Sequence, residues 1–487
     1  MQNTKLVEIL SDMATRERSR FQDYVHSPFF NKNKKIQNLC DYVLSYAPDF
    51  HQPALNKTVI YPFIFGKKPF NEIQLNNIIS DLLQLLYDFL AIKKYREKEL
   101  LQKTFLMDEL LDRSAYDFIP RVARRYRQIQ NQSTYRNFEF YHQEYIFSEQ
   151  LDRNHLSRSP RTYGENLQFK NDHLDLYYFS NKLRIACDMA SRNIVVKAKY
   201  ECHFIADLIK HYEDNYLDYQ SHPCLSVYYK ILQILQTKED EQAYYELKTL
   251  LENHYNLFPA EELRVIYIYV QNYCILKINS GKSIYYRELQ DVYKILLKRK
   301  IIFMNGYLTQ WAYKNIITVG IRLQDFDWTE TVIHQYKESL LPEERPNAVA
   351  YNLAAFYDAK KEYKNALHQL HDVEFTDISY HLGAKIIQLK CFYELDESEA
   401  FYALIEATKK YLLRNRKVAD YHKKANANFC TIAKKIFQLK MKKSRLKKSV
   451  FNQQYRLLSE KLKKIQPITN KEWLEEACKK LDLASTK

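Results

Sequence analysis

Between Leu75 and Leu90 the apolar positions recur at helical spacing: Leu75, Ile78, Ile79, Leu82, Leu83, Leu86, Phe89 and Leu90. The stripe is wide, so it predicts a helix buried on a broad face. Asn71 is its predicted start, and Glu72 puts a negative charge in the first turn, where the helix dipole favours it. Upstream, Ser11 and Asn31 read as helix starts. Ser27-Pro28-Phe29-Phe30-Asn31 reads as a stop followed by a new start, because Pro disfavours helix in the residue before it. A helix is then predicted to about Tyr46, with Pro48 closing it.

From about 97 to 215 longer helices are predicted. One is marked by Leu174, Tyr177, Tyr178, Leu183, Ala186 and Cys187, another by Tyr200, Phe204, Leu208 and Ile209. The stretch 152–166, with Pro160 and Gly164, reads as an exposed loop. From about 222 the spacing becomes regular. Pro223, Pro259, Pro342 and Pro346 punctuate helical stretches, and paired units fall near 222–256, 260–300, 307–341, 347–375 and 377–413. Paired helices at periods of about 20–50 residues point to a solenoid.

Residues 347–378 resemble a tetratricopeptide repeat (TPR). Leu353, Ala354 and Tyr357 stand at the leucine, small and aromatic positions of the first helix, and Ala366, Leu370 and Val373 fit the second. Shifting by the motif's own period puts Val319, Gly320 and Leu323 on the same first-helix positions, with Val332 and Tyr336 on the second. Small residues there let two helices cross closely. Residues 388–413 keep Leu389 and Tyr393 but lose the small residue. As a whole the chain resembles an uncharacterised bacterial family of helical, TPR-like proteins, on the run from Phe21 to Asn33 and on Ser80-Asp81-Leu82-Leu83 with Phe89-Leu90. The resemblance implies an all-α fold, a right-handed α-α superhelix (TPR-like solenoid) with an N-terminal helical module, and brings no activity with it. The expected segments are 1–95 (N-terminal module), 97–215 (long helices), 222–413 (helical-hairpin repeats) and 414–487 (basic C-terminal helices).

Composition agrees with helices joined by short turns. The 487 residues hold only 6 Gly and 12 Pro, and 46% are hydrophobic. Sheets and phosphate loops lean on Gly, which alone takes positive φ freely. Tyr is abundant at 41, suiting shallow, half-exposed cores. The 8 cysteines form no CxxC pair, which predicts buried free thiols in a reducing compartment. Met1 to Val25 lack the apolar region of a secretory signal, and the most apolar run, Val265 to Leu276, is too short to span a bilayer. A soluble cytoplasmic protein is expected.

Catalytic chemistry is not indicated, and no cofactor or metal is expected. Ser280-Gly281-Lys282-Ser283 suggests a phosphate loop, but Leu276 stands where the motif needs Gly, so a helix–helix turn is the better reading. His368 and His371 share a helical face without a third ligand. No Gly-x-Ser-x-Gly elbow occurs. A helix-turn-helix over 56–95 is permitted by the pattern, yet its last helix is apolar with no basic face before Lys93 and Lys94.

Charge is more informative. Residues 401–487 hold 23 Lys and Arg against 7 Asp and Glu, while the whole chain carries +15, so everything before them is near neutral. The densest run is Lys440, Lys442, Lys443, Arg445, Lys447 and Lys448. Such an end suits nucleic acid, another polyanion or a membrane surface. Apolar stripes through Ile432, Ile436, Leu439, Leu446, Val450, Leu457, Leu458 and Leu462 equally suit ordinary amphipathic helices with lysine on the wet face. The expectation is a non-enzymatic protein–protein interaction scaffold that grips a peptide or helix on its first-helix face, through Tyr351 and Asp358 in the best repeat. The alternative is polyanion binding through the basic end.

Overall fold

The computed structural model describes residues 1, 4–51, 53–196, 198–237, 240–371, 373 and 377–483. These residues form 24 α-helices and five short 3-10 turns, with no β-strand among them. They divide into two units. The first comprises Met1–Met189, Glu201–Tyr229 and Asn256–Phe258, and the second Ala190–Tyr200, Lys230–Tyr255 and Pro259–Lys487. No helix among the described residues is long and apolar enough to cross a membrane.

In the first unit, α1 (Lys5–Asp12), α2 (Thr15–His26), α3 (Lys34–Leu44), α4 (Lys57–Phe65) and α5 (Glu72–Glu97) enclose one core. The predicted stripe of α5 faces it: Leu75, Ile78, Ile79, Leu82, Leu86 and Phe89 are buried, and Leu83 and Leu90 pack against it. Asn71 caps α5 by accepting from the Gln74 N–H. Two other starts move. Ser11 lies in the last turn of α1, which Thr4 caps, and the Ser11 hydroxyl donates back to the Val7 carbonyl; the following helix, α2, starts after Ala14 with no side-chain cap. Asn33, not Asn31, caps α3, accepting from the Lys35 N–H. Asn31 is buried; its amide donates to the Val25 carbonyl and its oxygen accepts from the Asn33 N–H, joining the end of α2 to the start of α3.

Next come α6 (Glu99–Asp112), α7 (Ile119–Gln132), α8 (Phe138–Arg158), α9 (Asn166–Val195), α10 (Ile205–Asp214) and α11 (Tyr216–Tyr219). Two expectations are corrected here. Residues 152–158 continue α8, where Arg153 pairs with Asp108 and Asp112 of α6 and Arg158 pairs with Asp117. The loop is therefore confined to 159–165. Tyr200 and Phe204 lie outside the helix of Leu208: α10 begins at Ile205, and Phe204 is exposed in a left-handed conformation with φ 62°. The core of this part centres on Met107, Leu111, Tyr126 and Phe147, with the two rings stacked at 4.0 Å.

Each of the five predicted paired units contains two helices. They are α12 (Pro223–Gln236) and α13 (Glu241–His254), α14 (Ala260–Asn279) and α15 (Tyr285–Lys298), α16 (Gln310–Arg322) and α17 (Phe326–Tyr336), α18 (Arg345–Ala359) and α19 (Tyr363–Gln369), then α20 (Ile378–Glu394) and α21 (Ser398–Arg414). Within the second unit the last four pairs pack as hairpins, and α16 also packs on α18, and α18 on α20. The basic end continues this packing. α22 (Asp420–Lys442) lies on α21 and meets α23 (Lys448–Lys464) and α24 (Lys471–Leu483), and all three share a core with α20 and α21.

One turn geometry recurs at the hairpins. A residue with positive φ follows α14, α16, α18 and α20: Gly281 (94°), Gln324 (55°), Lys361 (63°) and Asp396 (60°). At each, the N–H of the following residue reaches a carbonyl five residues back: Lys282 to Lys277, Asp325 to Gly320, Glu362 to Tyr357 and Glu397 to Phe392, at 2.9–3.0 Å. This bond closes a helix end that would otherwise leave carbonyls unpaired. Asp325 then caps α17, accepting from the Trp328 N–H, so one short segment ends a helix and starts the next.

The tyrosines are more deeply buried than their abundance suggested. Tyr126, Tyr244, Tyr285, Tyr313 and Tyr380 are fully enclosed. Several satisfy their hydroxyl on a backbone carbonyl, as Tyr313 does on Ile333 (2.8 Å) and Tyr380 on Gln310 (2.9 Å). A ring can then fill the space between two helices while its one polar atom ties them together.

Candidate partner-binding cavity

A cavity of about 490 Å3 opens in the second unit. Its walls come from α16 (Lys314), α18 (Tyr351), α20 (Ile378, Leu382, Gly383 and Ile386) and α22 (His422 and Asn426), together with the turn before α22 and Thr469–Asn470 before α24. None of α17, α19 or α21 contributes. Its described lining comes from the first helices of the last three hairpins, from α22 and from the turns before α22 and α24.

Tyr351, expected to face the groove, lines this cavity. Its ring packs against α20 where Gly383 leaves room; a methyl on Gly383 would stand 2.7 Å from Tyr351 Cε2. Burial first, and then the charge of Asp358, pushes the Tyr351 phenol up to about 12. Its hydroxyl has no hydrogen-bond partner among the described residues. Asp358 takes another role. Its carboxylate pairs with Lys390 of α20, with both side chains largely buried, so it is held within the α18–α20 packing and does not line the cavity.

Sequence reasoning missed the charged centre of this cavity. Lys314 Nζ stands 4.8 Å from the ring centre of Tyr351, 5.1 Å from Tyr380 and 5.7 Å from Trp311. Such cation–π contacts contribute about 0.5–2 kcal/mol each, depending on desolvation. Burial pulls the Lys314 ammonium below its ordinary range, and the charge of Asp377 opposes this only in part. Asp377 is engaged elsewhere, capping α20 by accepting from the Ser379 and Tyr380 N–H groups. Lys417 adds a second positive charge and His422 an imidazole, and Asp377 is the only acid in the lining among the described residues. Periodicity could not flag Lys314, because it lies 37 residues before Tyr351 and Gly383 lies 32 after Tyr351, so the three do not share one repeat position.

The basic run is split by the fold. Lys440 pairs with Asp396 and donates to the Tyr393 carbonyl. Lys443 donates to the Leu481 carbonyl and lies over the Phe451 ring. These two fasten α22 to its neighbours. Arg445, Lys447 and Lys448 are exposed. Lys442 instead joins Lys435 of α22 and Lys461 of α23 along a groove of about 440 Å3, whose lining also includes Leu439, Leu457, Leu458, Gln438 and Gln454. No acid lines it. The Lys461 charge, with a smaller contribution from burial, pulls the Lys435 ammonium below its usual range.

The other motifs fall into ordinary structure. Gly281 makes the α14–α15 turn, and Lys282 pairs with Glu241. His368 and His371 are exposed, and no metal-holding cluster of His, Cys, Asp or Glu occurs among the described residues. All eight cysteines are free, and seven are buried. Compared with protein-family models, with curated proteins and with solved structures, the chain matches none.

Proposed function

We propose that this chain is a non-enzymatic interaction scaffold, a TPR-like right-handed superhelix of hairpins that holds a peptide or helix of a protein partner on its first-helix face. One observation carries the reading: the 490 Å3 cavity is walled by successive first helices and by no second helix. Side chains on such a row can recognise an extended or helical segment as a set of spaced pockets. The recurring turn after α14, α16, α18 and α20 supports the repeat, since it joins the two helices of four successive hairpins in the same way. We assign the protein to the cytoplasm, where buried, unpaired thiols are stable.

The test is site-specific photo-crosslinking in cells of the native host. A photoreactive residue at Ser379 or His422, both exposed at the cavity, should trap discrete partner proteins. The same residue at Lys364, exposed on the second helix α19, should not. Equal trapping from Lys364, or none from either cavity position, would overturn the reading.

A second reading is polyanion binding by the basic end, favoured by the acid-free groove of Lys435, Lys442 and Lys461. An anisotropy titration with single- and double-stranded oligonucleotides checks it. Steep weakening with salt, abolished by K435Q/K442Q/K461Q, is the expected result. Binding that ignores the triple substitution removes it.

A further inference from the structure

We infer that the first-helix cavity is an oxyanion site, taking a carboxylate or phosphate group between Lys314, Lys417 and His422. This rests on that cavity being the binding face, and it names the chemistry recognised there.

The argument starts from Lys314. Its ammonium stands among three aromatic rings and lines the cavity. Among the described residues no carboxylate comes within ion-pair distance of it and no acceptor takes its protons. A cation withdrawn from water without a counter-charge is unfavourable unless something offsets it. The rings do so in part. Their faces supply no oxygen to accept its protons, and Asp377, the acid in the described lining, is turned to the α20 N-terminus. A ligand oxygen is the missing partner.

The rest of the cavity agrees. The Lys417 ammonium has no ion pair among the described residues. Ala419, the residue before α22, offers no side-chain cap, so the first N–H groups of that helix lie open beside Lys417 and His422. The Tyr351 hydroxyl, also unpartnered, supplies a further donor. A cationic ligand is disfavoured, because Lys314 already occupies the ring faces that would receive it. The volume suits a small organic acid, a phosphate, or one acidic side chain of a bound segment.

The experiment uses the full chain with fluorinated tryptophan and reads its three resonances, Trp311, Trp328 and Trp473. Titration with inorganic phosphate, at ionic strength held constant with chloride, should move Trp311 saturably and leave the other two in place. K314M keeps an unbranched chain among the rings and should weaken phosphate at least tenfold; K417Q should weaken it severalfold. K385M, at a half-buried lysine outside the lining, should leave it unchanged. A hexaglutamate peptide and its hexaglutamine twin distinguish the sources. Tighter binding of hexaglutamate than of phosphate assigns the oxyanion to a partner segment, and the reverse assigns it to a free small molecule. Either supports the site. Trp311 unmoved by both probes, or undiminished affinity in both K314M and K417Q, would overturn it. If phosphate binds as described but cavity crosslinks trap no protein, the scaffold reading fails and the oxyanion site stands.

Discussion

Gly320 of α16 lies so close to Thr329 of α17 that a methyl on the glycine would overlap the Thr329 hydroxyl oxygen and stand 3.0 Å from the Trp328 ring. The two helices cross there with no room for a side chain. Gly320 was picked out by the repeat pattern as the small residue of the crossing, and Ala354 holds the matching position in the next hairpin, fully buried.

Gly320→Ala is therefore expected to destabilise the second unit. In an exposed helix the change would stabilise by about 0.5–1 kcal/mol. Here overpacking opposes it by about 1–3 kcal/mol. The net loss should appear as a lower urea midpoint, and Thr329→Ala should recover part of it. A rise in midpoint for Gly320→Ala alone would contradict the close crossing.

Asp358→Asn should cost stability and serve poorly as a test of binding. Its carboxylate faces Lys390 with little water around either side chain. Removing one member of such a pair leaves the other uncompensated, at about 3 kcal/mol. Replacing both, as Asp358→Asn with Lys390→Met, should cost less than Asp358→Asn alone. A double-mutant cycle in urea checks this, and strictly additive effects would refute the coupling.

Much of the helical plan was legible because it depends on local rules. The stripe from Leu75 to Leu90, the five paired units and the small residue at 320 all follow from period, Pro placement and the room a helix crossing allows. Ser11 failed as a start because it lies inside the last turn of α1, and α2 begins beyond it without a side-chain cap; Asn31 failed because Asn33, two residues on, offered the capping oxygen. The segment 152–158 stayed helical because Arg153 and Arg158 found carboxylates 41 to 45 residues upstream, which no local pattern reveals. At the cavity, Tyr351 followed from the repeat register. Lys314 did not, since its setting is made by Trp311, Tyr351 and Tyr380 from three different helices. The charge run at the C-terminus was read as one feature, yet Lys440 and Lys443 are spent on packing.

The left-handed turn residues give a stabilising prediction. Gln324 and Lys361 hold φ of 55° and 63°, where a β-carbon meets the following carbonyl. Both are exposed, with no side-chain ion pair or hydrogen bond among the described residues. Gln324→Gly and Lys361→Gly should each stabilise by about 0.5–1 kcal/mol and raise the urea midpoint. Asp396 shares the geometry but pairs with Lys440, so Asp396→Gly should gain less or nothing. Destabilisation by both Gln324→Gly and Lys361→Gly would argue against the shared turn.

Thiol reactivity should single out one cysteine. Burial pushes Cys274 and Cys391 up to about 12 and Cys430 up to about 11, and it raises Cys40, Cys187 and Cys478 as well. Thiolate is the reactive form, so these sites are both enclosed and protonated. Cys202 alone is not buried. Native protein treated with an aromatic disulfide reagent should release close to one equivalent quickly, lost in Cys202→Ser, and eight in denaturant. Several fast equivalents in the native state would contradict the packing.

Alkaline pH should unfold the chain through its tyrosines. Burial is the leading cause that pushes Tyr273, Tyr351 and Tyr363 up to about 12, against 10 for a free phenol. Above about pH 10 an unfolded chain gives up these protons while the folded chain keeps them. The unfolded state then binds fewer protons, so stability falls as pH rises from 10 towards 12; below 10 these groups cause no such loss. Tyr313 and Tyr380 are raised further still and extend the loss upward. Tyrosinate absorbance followed beside far-ultraviolet circular dichroism should show two phases. Exposed tyrosines ionise first with helicity intact. The enclosed set then ionises together with the loss of helix, because a phenolate between two helices is cut off from water. A single ionisation near pH 10 that leaves helicity unchanged would mean that the rings are solvated and do not hold the helix pairs together.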